Sequence, residues 1–127
     1  MNKDNEAYIS NLYHKALLLL VSNKDAEAAK VAAEGFNATT DDYWKTMLNA
    51  IVYSALLRDD SKSALHLREI IIPKLQEYGQ YEAAGDCYQQ LSAYFHDRGN
   101  TEIALKYSNY AVEAFKKFNK ELKEGDE

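Results

Sequence analysis

The side chains able to do chemistry are few and scattered. The histidines, His14, His66 and His96, fall on three different predicted helices, and no two of them share a metal-ligand spacing. There is no HExxH, no CxxC and no glycine-rich phosphate loop. The single cysteine, Cys87, sits between Asp86 and Tyr88, where nothing would lower its pKa, so it reads as an inert, packed thiol. The acid pairs Asp41-Asp42 and Asp59-Asp60 stand at predicted helix starts. Neighbouring residues on a helix point apart, so these pairs are better suited to capping than to shared proton chemistry. The residues therefore predict no enzyme, no cofactor and no metal, which leaves binding as the expected activity.

Charge narrows the choice of partner. The net charge is −5 and no basic stripe interrupts it, which argues against nucleic acid. Lys106, Lys116, Lys117, Lys120 and Lys123 gather late in the chain, but acids interleave with them as on a solvated helix face. The amino terminus, Met1 to Glu6, is too polar for a signal peptide. The apolar run from Ala16 to Val21 is far too short to span a bilayer. With one cysteine there is no internal disulfide, so a cytoplasmic protein that avoids membranes is expected. The ten tyrosines exceed what a core pattern needs, and tyrosine combines large area with one hydrogen bond at contact surfaces.

The elements that must position these residues are helices. Apolar residues recur every three or four positions in six segments, about 5–22, 25–36, 41–58, 62–78, 80–97 and 101–122. The expected core phases are Ile9, Leu12, Ala16, Leu19 and Leu20 in the first; Ala28, Val31, Ala32 and Phe36 in the second; and Trp44, Leu48, Ile51 and Ala55 in the third. The fifth presents Tyr81, Ala84, Tyr88, Leu91 and Phe95. The sixth presents Ala104, Ser108, Ala111, Phe115, Phe118 and Leu122. Thr40 is the expected N-cap of the third helix, and Asp59-Asp60-Ser61 the turn and cap before the fourth. Pro73 should kink or end the fourth helix, and Gly79 and Gly99 should stop the fourth and fifth. Connections of two to four residues make consecutive helices antiparallel. The prediction is thus an all-α chain of three αα-hairpins, about 5–36, 41–78 and 80–122, in a single domain with a disordered tail over 123–127.

Ala28, Ala64 and Ala104 each lie about four residues into the second helix of a pair, after a polar turn, where a small side chain lets two backbones approach. In the third pair Tyr88, Leu91, Ser92 and Phe95, then Ala104 and Ala111, with the turn Gly99-Asn100-Thr101-Glu102 between them, resemble a tetratricopeptide repeat. The pattern departs from that family at Ser108, where an aromatic is usual, and at Lys116, near the usual closing proline. Lys15 stands where leucine is usual if Ala28 anchors the first unit. The last unit is also somewhat similar to the degenerate repeats of bacterial peptide-pheromone sensors of the Rap and PlcR type. The resemblance implies hairpins stacked as a short right-handed solenoid whose concave face is lined by the first helix of each pair.

Rotating away from the core phase on those helices gives Ser10, Tyr13, Leu17 and Val21; then Thr46, Asn49, Tyr53 and Leu57; then Asp86, Gln89, Ala93 and His96. From these, Tyr13, Leu17, Asn49, Tyr53, Asp86, Gln89, Ala93 and His96 are the predicted partner-binding residues of a non-enzymatic adaptor for a protein or peptide segment. A regulatory peptide-sensor repeat module and a self-associating structural subunit are the alternatives. The latter follows from Leu17 to Val21, which span more than one turn and cannot all face one neighbour. Leu17 and Leu18 would be the exposed members of a homodimer surface.

Overall fold

The computed structural model describes residues 3–57 and 60–125, and among these every element is helical, with no strand. The chain divides into two compact units, Met1–His66 and Leu67–Glu127.

The first unit contains α1 (Lys3–Val21), α2 (Asp25–Ala38), α3 (Asp42–Leu56) and the short α4 (Ser61–His66). Alpha1 packs on both α2 and α3, and α2 packs on α3. Its core comes from the expected stripe of α1, Ile9, Leu12 and Ala16, joined by Ala28 and Ala32 of α2 and by Met47, Leu48, Ile51 and Ala55 of α3. Small residues on α2 meet a large one on α3. A Cβ placed on Gly35 would lie 3.0 Å from Leu48 Cδ1, so the bare backbone there is what receives the fully buried leucine. At the rim, the Tyr8 hydroxyl donates to Glu34 Oε1 at 3.0 Å.

The structure corrects several expectations here. Leu19 and Leu20 are only half-buried, whereas Thr46 and Leu57, expected away from the core, are buried. Thr46 can be buried because its hydroxyl donates to the Asp42 carbonyl at 2.8 Å, leaving only its methyl to pack. The N-cap of α3 is Asp41 rather than Thr40. Asp41 Oδ1 accepts from the Tyr43 amide at 2.9 Å, and Thr39 Oγ1 in turn accepts from the Asp41 amide at 3.1 Å. Asp60 Oδ1 accepts from the Lys62 amide at 2.9 Å and starts α4; Asp59 lies outside the described residues.

The second unit contains a π-helical turn (Leu67–Ile71), α5 (Ile72–Glu77), α6 (Tyr81–Asp97) and α7 (Thr101–Gly125). Pro73 does not end the helix. Its ring crowds the carbonyl four residues back and it has no amide proton to give, and the turn before it is widened into the π segment. Alpha7 runs past the expected end at 122 to Gly125; Asp126 and Glu127 lie outside the described residues.

Three turns in the chain share one geometry. Asn23, Gly79 and Gly99 adopt left-handed φ values of 62°, 72° and 79°. In each, the left-handed residue's amide and the next one reach back to two carbonyls of the preceding helix, as Gly99 does to His96 at 3.0 Å and Asn100 to Phe95 at 2.9 Å. The residue that completes the old helix starts the new one: Lys24, Gln80 and Asn100 accept through their carbonyls from Ala28, Ala84 and Ala104. Those alanines are buried, because a turn this tight brings the new helix onto the old one within its first turn.

The core face of α7 is Ala104, Tyr107, Ala111 and Ala114. Ser108 and Leu122, expected in the core, are exposed. The two stripes differ by one residue, and the aromatic partners decide between them: Tyr107 stacks on Phe95 (centroids 5.6 Å apart, 7° between planes) and lies 6.1 Å from Tyr88.

Candidate functional site

Alpha6 and α7 are joined by the Gly99 turn and pack along their lengths. Near one end, the Phe115 ring lies directly on the backbone of Gly85. Midway, the Ser92 hydroxyl donates to the Ala104 carbonyl at 2.7 Å and lies 2.9 Å from the Ser108 hydroxyl. A serine has one proton to give, so Ser108 is the donor in the second bond. Small residues on both helices leave an open depression of about 470 Å³ over this pair. Ala104 and Ser92 are its most buried lining residues, Ala93, Ser108 and Leu105 are exposed, and His96, Asp97 and Thr101 lie toward the turn. A bulky side chain at position 108, where the repeat resemblance expects an aromatic, would occupy this space.

Three predicted binding residues, Gln89, Ala93 and His96, line this depression. Asp86 is one turn further along the same side of α6 and half-buried. Burial first, and then the charge of Glu82, push its carboxyl up to about 6. His96 Nδ1 stands 3.8 Å from Asp97 Oδ1, with both side chains mostly in solvent.

The remaining predicted residues are in the first unit. Tyr13, expected on a binding face, is only 9% exposed and belongs to the core. Its ring lies 6.0 Å from Trp44 and 5.4 Å from His14. Tyrosine suits either environment, so helical phase alone misplaced it. Asn49 and Tyr53 are half-buried on α3, and the Tyr53 ring lies 4.2 Å from the His66 imidazole. On α1, Leu17 is half-buried while Leu18 and Val21 are 66% and 67% exposed.

Sequence reasoning did not place Ser92, Asp97, Thr101, Leu105 and Ser108 in a site. The usable signal was small residues on two consecutive helices at positions that face one another. Among the described residues no three His, Cys, Asp or Glu side chains converge as a metal site would need. No described helix is long and apolar enough to cross a membrane. No known protein family, curated protein or solved structure matches this chain.

Proposed function

We propose that this chain is a non-enzymatic binding module for a protein or peptide segment, built of antiparallel αα-hairpins in the manner of a short right-handed tetratricopeptide-like solenoid. The observation that carries this reading is the open depression between α6 and α7, with Gln89, Ala93 and His96 along one side. Its mixture of an amide, an imidazole, hydroxyls and one exposed leucine suits a peptide, whose backbone needs hydrogen bonds and whose side chains need apolar contact. Asn49 and Tyr53 of α3 are a second, separate candidate surface in the first unit.

The test is selection of a random peptide library on the purified full chain. Enriched peptides should lose binding to Ala93→Arg, which places a long charged side chain in the depression. They should keep binding to Asn49→Ala/Tyr53→Ala if α6 and α7 form the site. If nothing enriches, or if enriched peptides ignore both variants, the module reading fails.

A second reading, self-association through α1, is favoured by the exposure of Leu18 and Val21 on one helix. Sedimentation at micromolar concentration tests it. A dimer that Leu18→Glu dissociates would support it, and a monomer throughout would reject it.

A further inference from the structure

The depression has an uneven charge. From Tyr81 to Asp97, α6 carries Glu82, Asp86 and Asp97 and neither lysine nor arginine. The residues facing it from α7, Thr101, Ala104, Leu105 and Ser108, are uncharged. Lys106, next to Leu105, is exposed and is not among the lining residues, and three lysines further along α7 have partners. Lys116 Nζ lies 3.6 Å from Glu113, Lys120 Nζ lies 4.0 Å from Glu124, and Lys117 sits 5.5 Å above the Tyr81 ring. Burial is the main cause of the raised Asp86 pKa, and the nearby charge of Glu82 adds to it. The α6 side is thus acidic; the one fixed cation at its end, the C-cap Arg98, lies over the Tyr94 ring at 3.6 Å and donates to the Tyr94 carbonyl. The hydroxyl protons deepest in the depression are already spent, because Ser92 donates to the Ala104 carbonyl and Ser108 to Ser92. What they leave for a visitor is hydroxyl oxygen able to accept, which suits a donor-rich cation, beside methyl and methylene surface.

We infer that the depression between α6 and α7 seats a cationic peptide segment of a partner protein, with a small or aliphatic side chain against Ala93 and Leu105 and an arginine or lysine on Asp97. This rests on the binding-module reading above and gives it a partner chemistry. Charge complementarity selects the occupant: a neutral segment would leave Asp97 only the neighbouring His96, 3.8 Å away and charged only when protonated, and an acidic one would be repelled by it. Asp86 and Asp97 are eleven positions apart on one helix, roughly 16 Å along its axis. An extended peptide covers that distance in about five residues. A segment with two basic residues spaced by about that number would therefore reach both acids.

The test uses the full chain and two labelled peptides, titrated by fluorescence anisotropy. One has two arginines five residues apart among alanines and leucines; the other has glutamine at both arginine positions. The arginine peptide should bind at least about fivefold tighter, and Asp97→Asn should weaken it by about fivefold, the equivalent of one exposed ion pair. Raising ionic strength from about 0.05 M to about 0.5 M should weaken it further. Ser108→Tyr, which fills the depression, and Ala93→Arg, an exposed substitution that leaves the core intact, should both abolish binding. Equal binding of the two peptides, both lost in Ala93→Arg, would overturn the cationic partner but leave the binding module standing. Arginine-peptide binding that survives both Ser108→Tyr and Ala93→Arg would place the ligand elsewhere and overturn the inference. A dimer dissociated by Ala93→Arg would show that a second copy occupies the face, and would overturn it as well. Failure of the library selection is the separate result that removes the module reading itself.

Discussion

Replacing Gly85 by alanine tests how α6 and α7 are held together. In the middle of a helix the substitution should ordinarily stabilise by about 1 kcal/mol, because glycine loses more backbone freedom on folding. Here the new Cβ would lie 2.5 Å from Phe115 Cε1 and 2.8 Å from Cδ1 and Cζ, well inside contact distance. Two responses are open. If the ring stays, overpacking costs about 1–3 kcal/mol. If it swings into solvent, the burial lost is on the order of 1–2 kcal/mol. At mid-range either outweighs the propensity gain, so Gly85→Ala should lower stability by about 0.5–1 kcal/mol, a drop of about 2–5 °C in Tm for a chain of this size. The decisive comparison is a double-mutant cycle with Phe115→Leu, read by urea denaturation. With the ring gone, Gly85→Ala should become neutral or stabilising, giving a coupling of about 1–2 kcal/mol. A single mutant that is more stable than wild type, with effects that simply add, would refute the contact.

Three further outcomes follow from the turns, the packing and the charges. Asn23→Ala should destabilise by about 1 kcal/mol, because a Cβ-bearing residue without asparagine's local hydrogen bonding is placed at φ 62°, while Asn23→Gly should be neutral or stabilising; thermal melts decide. Ala104→Leu should cost about 1–3 kcal/mol in denaturant titration, since the buried alanine is where α7 meets α6 at the Ser92 hydroxyl. Asp86→Asn should raise stability at pH 7 by about 1 kcal/mol, a figure discounted for the carboxyl's partial access to water. The sign comes from the pKa being raised in the folded state from 3.8 to about 6, so the folded protein holds the extra proton between those values. Wild-type stability from this group is therefore full below pH 3.8 and lost as pH rises through about 6. The advantage of the variant should vanish at the acid end and be complete above about pH 6; an advantage independent of pH would reject the assignment.

The sequence determined by itself that the chain is helical, where most helices begin and end, and that Gly79 and Gly99 stop two of them. These are local properties: a spacing of three and four, a capping side chain, and a backbone angle that glycine reaches without strain. Even locally it left near-equivalents, since Thr40 and Asp41 can both cap and only the folded chain chose Asp41. Pro73 announced a disturbed helix, but whether that meant a break or a π turn depended on what the residues around it pack against. Only the tertiary structure decided which side of a helix is buried. One residue is a step of about 100° around the helix, so two adjacent stripes of α7 fit the pattern almost equally well, and the stacking of Tyr107 on Phe95 chose one and exposed Ser108. The same ambiguity put Tyr13 on a predicted surface, although packing near Trp44 made it core. The depression between α6 and α7 belongs to neither helix. It exists because Ser92 and Ala93 on one helix face Ala104 and Ser108 on the other, and an opposition of that kind has no representation in the spacing along either one.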